Sequence, residues 1–208
     1  MQEVEQTCEV TSLVQERLQA YLRGREPDAI VVNDDRYYDT PEARLYEQAV
    51  FARVRTNGTK STLQFKFDEP GSDKQHIICT ERAFVLSDEP LPEGVHSIFI
   101  HFLPAWQPAA SWGGVCMRNH LEELTRIFNT RHLYHLDHVT LCLDHVQDVG
   151  LFVEVEVMCE EGADTKSART RVSQFVEMIG GVPLSAGYVE LALQRSKPDI
   201  YARGQYHL

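Results

Sequence analysis

The sequence lacks the features that would point to a membrane span, a disulfide framework or a polyanion-coating surface. No window is long and apolar enough to cross a bilayer as a helix, so no membrane partner is expected. The five cysteines (Cys8, Cys79, Cys116, Cys142 and Cys159) are odd in number, and no two are spaced C-x-x-C. That argues against a disulfide scaffold or a cysteine-built zinc site and predicts reduced, partly buried thiols. Basic residues are short: 20 Lys and Arg stand against 31 Asp and Glu, a formal charge of -11. A nucleic-acid or anionic-membrane binder needs the opposite balance, so neither is expected, although a small anion needs only a local basic cluster. The opening MQEVEQTCEV has no basic stretch leading into an apolar one, so no signal peptide is expected and a cytoplasmic location is. Internal repeats and low-complexity tracts are also missing.

What remains is an ordinary globular composition. Of 208 residues, 43% are hydrophobic and 25% charged, which suits one domain and excludes disorder. We expect a single domain over 1–196 and a C-terminal tail over 197–208. Alternation predicts a strand over 2–10. Ser12 with Gln15 has the form of a capping box, followed by a helix ending near Gly24. A strand over 28–38 runs into a turn at Asp39-Thr40-Pro41 and a short helix to about Ala49. Strands over 50–56 and 62–67 flank Asn57-Gly58, a strong hairpin signal. Another strand is expected over 75–84, then a long connection over 88–114 in which Trp106 and Trp112 pack. A helix is expected from Val115 to Phe128, strands over 130–136, 138–145 and 151–158, and helices over 165–179 and 188–195. Gly180-Gly181 stops the first of these helices. Mostly strands with helices between and after them give an α+β domain on an antiparallel sheet or barrel.

The chemistry lies in charges placed two residues apart. Glu3 and Glu5, Arg53 and Arg55, and Glu154 and Glu156 each share one face of a strand; Lys66 sits between Phe65 and Phe67, and Asp144 is flanked by Leu143, with Leu141 and Val139 continuing that apolar face. Strand by strand, this describes the wet side of an ordinary sheet. Taken together, the charges sort by strand, and a closed sheet with its apolar side under helices would turn them inward. A polar interior requires charges that pair, stay hydrated or hold ions. Carboxylates at this spacing can share a hard divalent cation, and Arg and Lys on neighbouring strands can bind phosphate oxygens.

Tyr37-Tyr38-Asp39-Thr40-Pro41, Phe51-Ala52-Arg53-Val54-Arg55 and Leu63-Gln64-Phe65-Lys66 resemble successive segments of the CYTH, or triphosphate-tunnel, superfamily. The runs 139–146 and 150–156, and Gly187-Tyr188-Val189-Glu190-Leu191, are similar to its class IV adenylyl cyclase branch. Glu3-Val4-Glu5 resembles the first half of its ExExK signature. The resemblance covers nearly the whole chain in order. It implies a closed antiparallel β-barrel, a tunnel with a charged polar interior and flanking helices. Glu3, Glu5, Asp144, Glu154 and Glu156 would hold Mg²⁺ or Mn²⁺. Arg53, Arg55, Lys66 and Arg131 would bind the substrate, with Arg53, Arg55, Lys66 and Glu5 catalytic.

The implied ligand is a nucleoside triphosphate, another polyphosphate or an adenylylated small molecule. The implied activity is hydrolysis of the phosphate chain or, alternatively, formation of cyclic AMP and pyrophosphate or a related lyase reaction. A homodimer is also implied. Two family lysines are replaced, by Thr7 and Asn129. That opens a third reading, a nucleotide- or polyphosphate-binding protein without turnover. His76, His132, His135 and His138 are candidate substitutes for the lost cations, and Glu81 is a candidate further acid.

Overall fold

A computed structural model describes residues 2–68, 77–86, 90–160 and 162–207. Eight strands close into one antiparallel barrel: β1 (Gln2–Glu9), β2 (Ala29–Asp39), β3 (Val50–Asn57), β4 (Lys60–Asp68), β5 (Ile77–Val85), β6 (Glu122–His135), β7 (Thr140–Val146) and β8 (Gly150–Cys159). Their order around the barrel is β1-β5-β4-β3-β2-β6-β7-β8, so no edge is left open. The α-helices are α1 (Ser12–Tyr21), α2 (Glu93–Phe102), α3 (Trp112–Asn119), α4 (Lys166–Ile179), α5 (Tyr188–Ser196) and α6 (Pro198–Tyr201). Among the described residues, no helix is long and apolar enough to cross a membrane.

Alternation assigns the faces. On β8, Val153, Val155 and Val157 point outward and join Val4 and Cys8 of β1 beneath α1 and α4. On β3 and β4, Ala52, Leu63 and Phe65 point outward beneath α2 and α3. Trp106 stacks on Phe99 at 4.0 Å, and Trp112 packs against Tyr38 at 5.2 Å, so both tryptophans are packing residues as expected. A third cluster joins Ile127, Val146 and Phe152 to Val189, Leu191 and Leu193, and so seats α5 against the barrel.

The expected hairpin is present, with Gly58 at φ +59° in its turn. The helix over 12–24 exists, but its N-cap is Thr11, whose hydroxyl accepts from the Val14 N–H; Ser12 is the first helical residue. Only a 3₁₀ turn, Tyr46–Gln48, occupies the short helix expected up to Ala49. Asp39 explains this: its carboxylate accepts from the backbone N–H groups of Thr40, Leu45 and Tyr46 at 2.7, 3.0 and 2.8 Å, which folds the chain into a tight loop. Of the tail expected over 197–208, residues 197–207 carry α6 and pack back on the domain; a Cβ at Gly204 would overlap the Tyr46 ring.

Two expectations are corrected. The helix from Val115 to Phe128 is instead α3, stopped at His120 (φ +54°), followed by the 14-residue strand β6. Its pairing with β2 shifts register between Tyr37 and Tyr38. That bulge spaces buried Leu124 and Ile127 three apart, which imitates helical period. The connection over 88–114 contains α2, whose Val95 and Phe99 bury at four-residue spacing. Pro92 sits just ahead of that helix, where its missing N–H has no intrahelical partner to lose.

Asp39→Ala removes the acceptor of three N–H groups, two of them in buried hydrogen bonds. The expected loss is roughly 3 kcal/mol of unfolding free energy. It should appear as a lower urea midpoint with an unchanged slope.

Candidate functional site

The inward faces of the strands enclose a cavity of about 300 Å³. Glu3, Glu5 and Thr7 enter it from β1, Asp35 and Tyr37 from β2, Arg53 and Arg55 from β3, and Gln64 and Lys66 from β4. Glu81 enters from β5, Asn129 and Arg131 from β6, and Glu154 and Glu156 from β8. Gly187–Glu190 and Tyr206 line it as well, so the C-terminal segment forms part of the wall.

Every expected cation meets carboxylates. Lys66 Nζ donates to Glu5 at 2.6 Å and to Glu3 at 3.1 Å. Arg55 makes a two-pronged pair with Asp35 at 2.7 and 2.6 Å. Arg53 donates to Gln64 (2.9 Å), to the Tyr37 hydroxyl and Glu81 (both 3.2 Å) and to Asp35 (3.3 Å). Arg131 donates to both oxygens of Asp144 (2.8 and 2.6 Å) and to Glu154 (2.8 Å), and the Tyr188 hydroxyl donates to Asp144 at 2.8 Å.

The five carboxylates expected to hold metal are thereby divided. Glu3, Glu5 and Glu156 offer oxygens that lie within 4.8 Å of one another, Glu154 and Glu156 approach the Cys142 thiol in the same way, and Asp144 is engaged by Arg131 and Tyr188.

Eight carboxylates (Glu3, Glu5, Asp35, Glu81, Asp144, Glu154, Glu156, Glu190) thus share this interior with four cations (Arg53, Arg55, Lys66, Arg131) among the described residues. The excess sets the titration. Burial, with the charges of Glu3 and Glu154, outweighs Lys66 and pushes Glu5 up to about 8. Burial and the charges of Glu154 and Glu3 push Glu156 up to about 9. Burial raises Glu3 as well, but Lys66 and a hydrogen bond from Glu156 overcome it and hold Glu3 down at about 2. Burial also raises Glu154, against the opposing charge of Arg131. Asp35 is held below the usual carboxylate range because Arg53 and Arg55 outweigh its burial. Glu156 therefore keeps its proton and donates a hydrogen bond to the Glu3 carboxylate. Three hard oxygen donors that must otherwise hold extra protons fit a divalent cation of the Mg²⁺ or Mn²⁺ kind.

Neutral groups stand where the resemblance implies lysines. Asn129 accepts from the Asn33 amide at 3.0 Å, and Thr7 is buried. The histidines do not replace them: His132, His135 and His138 are absent from the cavity wall, and His76 lies outside the described residues. Sequence reading missed Asp35, Tyr37, Gln64 and Tyr188. Asp35 is legible only through register, directly across from Arg55.

A family model described as the CYTH domain matches residues 1–185. No curated protein matches the sequence. Among solved structures, protein PH1819 from Pyrococcus horikoshii OT3 superposes with a TM-score of 0.66 at 18% identity, covering 93% of this chain and 99% of that one. An adenylate cyclase candidate from Vibrio parahaemolyticus gives 0.59 at 15% identity over 91% and 96%. HpAC1 from Hippeastrum, an adenylyl cyclase candidate described as having a dominant triphosphatase activity, gives 0.59 at 15% identity over 94% and 96%. At these identities the likeness is one of fold.

A proton held in the folded state but not in the unfolded one lowers stability as pH rises. Glu5 and Glu156, raised from 4.5 to about 8 and about 9, bind more protons folded than unfolded across that interval. In chelator, the melting temperature should therefore fall from about pH 5 to about pH 9, and Glu156→Gln should flatten the decline. Below that window the depressed Glu3 and Asp35 act in the opposite sense, so stability is lost as they take up protons.

Proposed function

The chain belongs to the CYTH domain family, and from that premise we propose that it hydrolyses the phosphate chain of a nucleotide or small triphosphate inside the barrel, with Mg²⁺ or Mn²⁺. The observation that carries this reading is the opposition, across one 300 Å³ cavity, of a basic wall (Arg53, Arg55) and an acidic one (Glu3, Glu5, Glu156). Glu3, Glu5 and Glu156 would hold the cation, which would supply charge neutralisation of the phosphates and polarisation of the terminal phosphoryl group.

The remaining work falls to the chain's own residues. Arg53 and Arg55 sit two apart on β3 and direct their guanidinium groups into the cavity, where they can grip phosphate oxygens in pairs. Asp35 and Tyr37 hold them in place beforehand, which lowers the reorganisation needed when charge develops. Lys66, once Glu3 and Glu5 take another partner, is freed toward the phosphate chain. Arg131, steadied by Asp144 and Tyr188, is the fourth phosphate contact.

In the step itself, a water oxygen bonds to the terminal phosphorus, the bond to the bridging oxygen breaks, and the water's proton passes to the departing bridging oxygen. The leaving chain departs one phosphate shorter. Glu5 serves the step as a ligand, since a carboxylate that holds a divalent cation gives up the raised proton affinity it has without one. The triphosphatase activity described for HpAC1 supports hydrolysis over cyclisation as the first expectation.

Product analysis tests this. The protein is incubated with tripolyphosphate, ATP, GTP and thiamine triphosphate in Mg²⁺ or Mn²⁺, with Glu154→Ala as control. Orthophosphate with the shortened product is expected. Cyclic AMP with pyrophosphate would replace hydrolysis with the cyclase reaction. Binding without any product would favour a binding protein, for which Thr7 and Asn129 in place of lysines are the motive. Arg55→Ala should lower kcat/KM by a factor of about 100 or more, as expected for a lost transition-state donor. The folded fraction, checked by thermal melting, should be retained.

A further inference from the structure

We propose that Cys142, Glu154 and Glu156 form a second metal site in the barrel, one that takes a borderline or soft divalent cation such as Zn²⁺, Co²⁺ or Cd²⁺. The Cys142 Sγ and one oxygen of each carboxylate lie within 4.8 Å of one another, the span of ligands around a single ion. Register makes the set. Cys142 on β7 stands directly across from Glu154 on β8, and Glu156 follows two residues on, on the same face.

The thiol supplies an independent pointer to a ligand. Cys142 is fully buried, and among the described residues its sulfur makes no hydrogen bond, whereas the Cys79 thiol donates to Glu3 at 3.6 Å. Buried free cysteine usually serves as a small apolar filler. Here its neighbours are charged: Arg131, Glu154, Glu156 and Asp144. A filler gains nothing from that setting, while a donor atom does.

The neighbouring guanidinium does not close the site. Arg131 is matched by both oxygens of Asp144 and takes only Oε1 of Glu154, which leaves Oε2 free of that contact.

Donor type separates this site from the all-oxygen group. Glu3, Glu5 and Glu156 present only carboxylates, which suit Mg²⁺ and Mn²⁺. A thiolate shifts preference toward Zn²⁺, Co²⁺ and Cd²⁺. Glu156 belongs to both sets, so ions in the two sites would be coupled through one carboxylate. Binding exchanges the S–H bond for an S–metal bond and releases the thiol proton to solvent. The proposal needs the barrel and its register but not the hydrolytic reaction.

The test is a titration of the full chain with Co²⁺, read as the near-ultraviolet thiolate-to-cobalt charge-transfer band. A band is expected in the unmodified protein and in Cys79→Ser, persisting in excess Mg²⁺, and it should be lost in Cys142→Ser. Absence of the band in the unmodified protein, or its survival in Cys142→Ser, overturns the site. Should Cys142→Ser fail to fold, Glu154→Gln and Glu156→Gln decide. Each should weaken the band at a fixed Co²⁺ concentration, and a band unchanged in both refutes the assignment.

Discussion

Enclosing more carboxylates than cations inside a closed sheet is the constraint on which the rest of the molecule depends. A charge removed from water must find a counter-charge, a proton or an ion. The barrel uses the first two visibly. Asp35 bridges Arg53 and Arg55, Glu3 and Glu5 clasp Lys66, and Asp144 and Glu154 clasp Arg131. The surplus is met by protons held on Glu5 and Glu156. The third means, a divalent cation, would replace those protons. Among the described residues, Arg53, Arg55, Lys66 and Arg131 are thus already paired at rest, and phosphate must compete with carboxylates that a metal would draw away.

The outer layer makes that interior possible. Helices α1 and α4 cover the apolar side of β1 and β8, while α2 and α3 cover β3 and β4. Each strand can then spend its other face on charge. At the cavity, α5 contributes Tyr188, whose hydroxyl fixes Asp144 and through it Arg131. This residue, with Gly187, Val189, Glu190 and Tyr206, lets the C-terminal segment complete the lumen. Thr7 and Asn129, where the resemblance implies lysines, put neutral groups in the lumen, and Asn129 is taken up by the Asn33 amide.

The strands were legible because their signals are local, while closure of the sheet into a barrel was implied only by the family resemblance. Two-residue spacing in Glu3-Val4-Glu5, Arg53-Val54-Arg55 and Glu154-Val155-Glu156 specifies which side chains share a face, and Asn57-Gly58 specifies a hairpin. What stayed hidden depends on contacts between distant strands. Asp35 reads as one acid among several until register sets it opposite Arg55, and Cys142 reads as a filler until register sets it opposite Glu154. The start of β6 misled because the bulge beside Tyr37 and Tyr38 spaces Leu124 and Ile127 as a helix would. Helix α2 was concealed by the prolines and glycines around it, although its buried Val95 and Phe99 carry helical spacing.

The central claim is that the interior accepts a polyphosphate only when a divalent cation takes its surplus carboxylates. Isothermal calorimetry with tripolyphosphate, run on the same protein first in chelator and then in Mg²⁺ or Mn²⁺, tests this most directly. The account predicts saturable binding with the cation and little or none without it, with protons released from the carboxylates as the complex forms. Equal affinity in chelator would contradict it, because it would mean that Arg53, Arg55, Lys66 and Arg131 bind phosphate while still paired.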